Sequence, residues 1–78
     1  MQGWGSQMDE GVIYKSIGQR IKFLRERKGL TQEKLAELTG LSLDYIGKIE
    51  VNINKPGLKA LIKISKALEV HIKEIFNF

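Results

Sequence analysis

Residues 31–50 read TQEKLAELTGLSLDYIGKIE, and this stretch decides the fold. The small residue Ala36 lies four positions before Gly40. Apolar residues follow the glycine at three positions: Leu41, Ile46 and Ile49. Glycine takes a positive φ angle without steric cost, so Gly40 suits a sharp turn between two helices. The stretch therefore predicts two short helices joined by a tight turn, with Ala36 leaving room for the second helix to approach the first.

This spacing is typical of a helix-turn-helix, in which the first helix crosses the phosphate backbone of duplex DNA and the second enters the major groove. Thr31 and Ser42 stand just before the two helices, where a hydroxyl oxygen can accept from the free amides of the first turn. We predict one helix from Gln32 to Thr39 and another, capped by Ser42, that runs to about Val51. The motif predicts that the chain binds duplex DNA.

A further helix is predicted before the motif, from about Val12 or Ser16 to Lys28, where Gly29 stops it. Apolar residues with helical spacing form its inner face: Ile13, Ile17, Ile21 and Leu24, with Phe23 adjoining. Basic residues gather in its later part, which suits the negative end of the helix dipole.

Two more helices are predicted after the motif. Pro56 and Gly57 begin a fourth helix that extends through Leu68, and His71 caps a short last helix over residues 72–76. The inner face of the fourth helix is predicted from its apolar spacing: Leu58, Leu61, Ile62, Ser65 and Leu68. The chain is therefore predicted to be all-α, with five helices.

Composition indicates one small domain. The 78 residues contain no cysteine and one histidine, His71, which excludes disulfides, thiolate metal sites and a histidine-built zinc site. We expect residues 1–11 to be a flexible tail, in which Trp4 is either a partner anchor or a solvated residue, and residues 12–78 to be the domain. No apolar run of about 18 residues is present and the N-terminus lacks a secretory pattern, so we expect a cytoplasmic protein without a membrane segment.

The chain is basic, with a net charge of +4. Residues 1–11 hold two acidic and no basic side chains, so residues 12–78 carry +6. This excess suits a polyanion such as DNA, although a solvated basic surface would give the same charge. We do not expect an enzyme, a cofactor or a metal site, because no nucleophile motif, phosphate-binding loop, recognisable carboxylate pair or metal-ligand cluster is present.

A longer pattern extends through the chain on both sides of the motif. Its residues are Ile17-Gly18-x-Arg20-Ile21-x-x-Leu24-Arg25, Leu30-Thr31-Gln32-x-x-Leu35-Ala36, Gly40-Leu41-Ser42, Tyr45-Ile46-x-Lys48-Ile49-Glu50, Pro56, Leu61, Ile64, Ala67-Leu68-x-Val70 and Ile75-Phe76. The pattern resembles the helix-turn-helix domain of phage repressors, Cro proteins and restriction–modification controllers, the xenobiotic-response-element class. This resemblance implies a compact five-helix, lambda-repressor-like fold whose third helix is the recognition helix.

Three positions depart from the family pattern. Asn52 replaces the usual glycine after the recognition helix, but asparagine tolerates the left-handed conformation that such a turn requires. Gly47 lies inside the recognition helix, where glycine costs about 1 kcal/mol relative to alanine. Gly57 stands where a serine or threonine cap is usual. We expect these departures to affect stability more than function.

The outward face of the recognition helix is predicted to contact DNA. Its candidate residues are Ser42, Leu43, Asp44, Tyr45 and Lys48. Leu43 would touch a thymine methyl group, or be a partly buried packing residue, and Lys48 would donate to guanine or to phosphate. Asp44 would accept from a cytosine amino group or complement the helix dipole. Tyr45 would donate to a phosphate or pack its ring at the margin of the core.

The resemblance implies further contacts outside the recognition helix. Gln32 and the amides at the start of its helix would hold a phosphate, unless Gln32 is an ordinary exposed glutamine. Asn54 and Lys55 lie in the following loop, which contacts the DNA backbone in the family. Arg20 is a further phosphate candidate.

The resemblance also places Arg25 opposite Glu50. Such an ion pair would join the first helix to the end of the third and hold the recognition helix in place. Because burial makes an unpaired charge costly, removal of either partner would leave the other stranded.

A single module of this size buries only about 600–1,000 Å² on DNA. We therefore expect a homodimer that binds a palindromic operator in double-stranded DNA as a transcriptional repressor, with no small-molecule ligand because no second domain is seen. The interface is expected on the last two helices, unless its residues belong to the core: Ile62, Ile72, Ile75, Phe76 and Phe78. Two alternatives remain open: an antitoxin-type autoregulator, and a protein-interaction module that keeps the fold without binding DNA.

Overall fold

Four α-helices and one 3₁₀ helix make up the computed structural model, which describes residues 9–78. The helices are α1 (Glu10–Arg27), α2 (Gln32–Thr39), α3 (Leu43–Glu50), α4 (Leu58–Leu68) and the 3₁₀ helix (Ile72–Phe76). No strand occurs in residues 9–78, so the all-helical prediction is confirmed. The expected fifth α-helix is instead a 3₁₀ helix, a form that suits a segment of only five residues. No helix within residues 9–78 has the length and apolarity needed to cross a membrane.

The first helix begins earlier than the sequence predicts. Asp9 caps it, since its Oδ1 accepts from the Val12 amide at 2.9 Å, and Glu10 places a negative charge in the first turn. Residues 10 and 11 of the predicted tail therefore belong to α1. The remainder of that tail, including Trp4, lies outside the described residues. At the other end, Gly29 takes a φ of 80° directly after the helix, as expected.

The starts of α2, α3 and the 3₁₀ helix agree with the predicted caps, whereas α4 begins after Gly57 without a side-chain cap bond. Thr31 Oγ1 accepts from the Lys34 amide at 3.0 Å, and Ser42 Oγ accepts from the Tyr45 amide at 3.0 Å. His71 Nδ1 accepts from the Lys73 amide at 3.2 Å. These bonds satisfy amides that have no partner inside the helix, so each start is fixed by a residue that precedes it.

A single core joins all five elements. Its fully buried side chains include at least one from each helix: Ile21, Leu35, Ile46, Ile49, Ile64 and Ile75. Helices α2 and α3 have only eight residues each and would be marginal alone, so this shared apolar surface holds them in place. The core also fixes the orientation of α3 against α1 and α2.

Two predicted core positions are wrong. Leu58 and Ile62 are exposed, because α4 packs against α2 and the 3₁₀ helix through a neighbouring strip. That strip consists of Leu61, Ile64, Ser65 and Leu68. Phe23 is also half-exposed, and its ring lies beside the guanidinium groups of Arg20 and Arg27 at 5.1 and 5.3 Å, which are cation–π distances.

The turns on either side of α3 both use a left-handed residue. Gly40 has a φ of 74° and donates its amide to the Ala36 carbonyl. Asn52 has a φ of 63° and donates its amide to the Ile49 carbonyl at 3.1 Å, so the predicted left-handed turn is confirmed. Helix α3 thus begins and ends at turns whose residues tolerate a positive φ.

Helix α1 approaches the end of α3 at Gly18. A Cβ placed on Gly18 would lie 2.3 Å from the Ile49 carbonyl oxygen and 3.4 Å from that of Glu50. Both neighbours are backbone atoms, so no side-chain rotation could make room. Gly18 therefore permits the close packing that sets the position of α3.

Candidate nucleic-acid interface

Helix α3 presents one face to the core and the other outward. Ile46 and Ile49 are buried, and Leu41, in the preceding turn, packs against the core, as predicted. The outward face contains the exposed residues Ser42, Leu43 and Asp44 and the half-buried residues Tyr45, Gly47 and Lys48. Leu43 keeps 45% of its surface exposed, so an apolar side chain is available on this face.

An ion pair lies along this outward face. Lys48 Nζ is 3.0 Å from Asp44 Oδ2, four residues earlier. Both side chains are largely exposed, so the pair contributes little to stability. Lys48 can consequently exchange Asp44 for a base or a phosphate at a small cost in free energy. Asp44 also lies in the first turn of α3, where its negative charge complements the helix dipole.

Gln32 joins the start of α2 to the end of α3. It is half-buried, and its Nε2 donates to Glu50 Oε1 at 3.0 Å. Its side-chain amide also lies beside Gly47, with Oε1 3.7 Å from the position of a Cβ there. The residue predicted to hold a phosphate is therefore oriented by α3 rather than free in solvent.

Arg25 and Glu50 form a two-point ion pair beneath α3. Arg25 Nε donates to Glu50 Oε2 at 2.7 Å and Nη2 donates to Oε1 at 3.0 Å. The third guanidinium nitrogen donates to the Leu30 carbonyl at 2.7 Å. The side chains are only 9% and 1% exposed. The hydrogen bonds and charge of Glu50 outweigh burial and raise the pKa of Arg25, so its positive charge is secure.

The loop after α3 is tied to the body by several bonds. The amides of Ile53 and Asn54 both donate to the Lys48 carbonyl, at 2.8 and 3.1 Å. Lys55 Nζ donates to Glu10 Oε2 at 2.9 Å and lies 5.5 Å from the centre of the Tyr14 ring. The hydrogen bond with Glu10 raises the pKa of Lys55. Lys55 is thus held against the start of α1, whereas Asn54 stays beside the end of α3.

Arg20 lies on α1 against the 3₁₀ helix. Its Nε donates to the Glu74 carbonyl at 2.7 Å and its Nη2 donates to Glu74 Oε1 at 3.2 Å, which fastens the 3₁₀ helix to α1. Because two of its nitrogens bond Glu74, Arg20 stabilises the packing of the 3₁₀ helix on α1. Its role as a phosphate candidate is correspondingly weakened.

Two lysines near the outward face were not among the predicted contacts. Lys59 and Lys63, one turn apart on α4, line a groove of about 310 Å³ together with Leu41 and Tyr45. A sequence signal exists, because α4 contains three lysines and no acidic residue. These side chains place positive charge beside Leu41 and Tyr45, near the start of α3. Within residues 9–78, no three His, Asp or Glu side chains are grouped to hold a metal ion.

Comparison with known sequences identifies similar proteins. The family model HTH_3, described as helix-turn-helix, matches residues 21–75. The transcriptional regulator SinR of Bacillus licheniformis is 39% identical over 62 residues, which are 78% of this chain and 56% of that protein. The immunity repressor protein of Bacillus phage phi105 is 38% identical over 60 residues, which are 77% of this chain and 42% of the repressor. The chain spans about half the length of these relatives.

Solved structures with the same fold match a larger share of both chains. The restriction–modification controller protein C.AhdI from Aeromonas hydrophila superposes with a TM-score of 0.79 at 38% identity, covering 81% of this chain and 96% of the controller. The controller C.Esp1396I superposes with a TM-score of 0.80 at 37% identity, covering 86% of this chain and 88% of that one. The likeness therefore includes nearly the whole of the described fold.

Proposed function

Since the chain belongs to the helix-turn-helix family HTH_3, we propose that it is a sequence-specific DNA-binding transcriptional regulator, and specifically a repressor. The observation that carries this proposal is the outward face of α3. Polar and apolar groups suited to base edges stand there, on a helix whose opposite face is buried. Relatives named as an HTH-type transcriptional regulator and an immunity repressor support the same function.

The chemistry of the face suggests how it reads DNA. Leu43 offers an apolar surface to thymine methyl groups, and Lys48 can donate to guanine. Gln32, at the start of α2, can donate to a phosphate beside the free amides of that helix, which favour an anion. Base contacts from α3 and phosphate contacts from α2 would together fix the register of the protein on the duplex.

We expect the protein to select one sequence from a pool of randomised duplexes. The bound fraction would be sequenced at two salt concentrations, and affinity should fall steeply as salt rises, because lysine contacts release counterions from DNA. Lys48→Ala should weaken binding by about tenfold, as expected for loss of one good base contact of 1–3 kcal/mol. Lys28→Ala serves as the control of equal charge change, since Lys28 follows the end of α1 and pairs with the exposed Glu69 on the surface.

Uniform weak binding with no enriched sequence would contradict this function. A toxin or another protein would then be the partner to seek, as in the antitoxin and interaction-module alternatives. Equal loss of affinity in both lysine variants would show that charge alone, and not α3, governs binding.

We further propose that two copies bind a palindromic operator with recognition helices about 34 Å apart. Exposed apolar residues on α4 and in the C-terminal segment support an interface between the two copies. Ile62, Phe76 and Phe78 are 39%, 43% and 52% exposed, and Ile72 is half-buried. Ile75 is fully buried and belongs to the core, so it is removed from the expected interface. A groove of about 470 Å³ lies beside Phe76, lined mainly by apolar side chains.

Ile62→Glu should shift the protein from dimer to monomer in sedimentation equilibrium, because a charge would be buried without a partner at the interface. Its DNA affinity should fall with the loss of the second half-site contact. Leu38→Glu, on the half-exposed surface of α2, is the matched control and should leave the oligomeric state unchanged. A wild-type protein that sediments as a monomer at high concentration, both with and without DNA, would refute the homodimer.

A further inference from the structure

Gly47 is the one glycine in the middle of α3, and the fold itself does not require it. Gly18 is needed because a Cβ would meet backbone, and Gly29 and Gly40 are needed because their φ angles are positive. Gly47 has no positive φ, and the atom nearest to a Cβ there is Gln32 Oε1 at 3.7 Å, an ordinary contact distance. Glycine is nevertheless among the least favourable residues in a helix interior. An alanine would fit the folded chain and suit the helix better.

The position of Gly47 on α3 suggests a function for the absence of a side chain there. Gly47 lies one turn after Leu43 on the outward face, between Leu43 and Asp44 around the helix axis. Residues four apart on a helix are neighbours, with Cβ positions about 5–6 Å apart. The missing side chain therefore leaves a shallow notch on the outward face, beside the Gln32 amide and one turn from Leu43.

We propose that Gly47 determines specificity by admitting a thymine methyl group into this notch. This inference rests on the proposed DNA-binding function. The thymine C5-methyl is the apolar group that base edges present in the major groove, and the exposed Leu43, one turn earlier on the same face, can contact the same base edge. Without a Cβ at position 47, the α3 backbone can approach the base edge closely. An alanine methyl would occupy the same space as the thymine methyl.

The test compares two glycine-to-alanine variants. Gly47→Ala should melt at a higher temperature than the wild type, yet bind the duplex selected by the wild type about tenfold more weakly, as a clash at a packed contact would cause. Gly11→Ala is the control, since Gly11 is exposed in the first turn of α1 and a Cβ there meets only Asp9 Oδ1 at 3.5 Å. Its DNA affinity should equal that of the wild type.

A second measurement identifies the methyl group. Each thymine of the selected half-site is replaced in turn by uracil, which lacks only the methyl. At one position the wild type should lose about fourfold in affinity, the value expected for one buried methyl. At the same position Gly47→Ala should bind the uracil duplex more tightly than the thymine duplex, because the clash with the methyl is removed.

Four results would overturn the inference. A lower melting temperature for Gly47→Ala would show that the fold needs the glycine. Equal affinities of Gly47→Ala and wild type for the selected duplex would show that the notch is unused, while leaving the DNA-binding function intact. Weaker binding without any uracil-sensitive position would indicate a contact other than a thymine methyl. A wild type that selects no duplex would refute the proposed function itself, and this inference with it.

Discussion

Gly18→Ala is expected to lower the free energy of unfolding by about 3 kcal/mol, the upper end of the range for overpacked cores. The added Cβ would lie 2.3 Å from the Ile49 carbonyl oxygen, far inside contact distance. Since the obstructing atom belongs to the backbone of α3, relief requires that α1 and α3 separate. The better helix propensity of alanine, about 1 kcal/mol, offsets only part of this loss.

Thermal unfolding followed by circular dichroism measures the effect. For a domain of this size, 3 kcal/mol corresponds to a decrease of about 12–24 °C in Tm. Gly47→Ala is the matched control, because it makes the same chemical change within α3 and should raise the Tm. A Gly18→Ala variant as stable as the wild type would show that α1 and α3 are packed less closely than the structure indicates.

Glu50→Ala is expected to be more damaging, with a loss of about 3–5 kcal/mol, because it leaves the buried Arg25 guanidinium without its partner. The Gln32 amide would lose its acceptor as well. Glu37 provides the comparison, since it pairs with Lys34 at 2.9 Å on the surface and is 70% exposed. Glu37→Ala should cost at most about 1 kcal/mol.

Urea unfolding of Glu50→Ala and Glu37→Ala measures this difference in stability. The stability of the whole domain is expected to be about 4–12 kcal/mol, so Glu50→Ala should have a much lower midpoint or be partly unfolded in buffer. Glu50→Gln keeps one carbonyl acceptor for Arg25 and should fall between Glu50→Ala and the wild type. Equal midpoints for Glu50→Ala and Glu37→Ala would contradict the stabilising role of the buried pair.

Features that depend on neighbouring residues were predictable from sequence. The caps Thr31 and Ser42 each bond an amide three residues later, so their positions are visible in the local pattern. Gly40 and Asn52 mark the turns around α3 for a similarly local reason, their tolerance of positive φ. The cap Asp9 was equally local, but the glycines around it favoured the interpretation of a tail.

Features that depend on distant parts of the chain were not predictable from periodicity. The apolar residues of α4 allow more than one inner face, and only the packing of α2 and the 3₁₀ helix selects the strip with Ile64 over Leu58 and Ile62. The bond from Arg20 to Glu74 joins residues 54 positions apart. No local spacing signals such a partner, so Arg20 looked available for phosphate.

The shared carboxylate of Glu50 has a consequence for the energetics of association. It bonds both Arg25, from α1, and Gln32, from the first residue of α2, while standing at the last residue of α3. The starts and ends of the helices that carry the proposed phosphate and base contacts are therefore held together before any duplex arrives. Little conformational entropy remains to be lost within the module on docking. In the proposed homodimer, adaptation to operators with different half-site separations would then come from the joint between the two protomers.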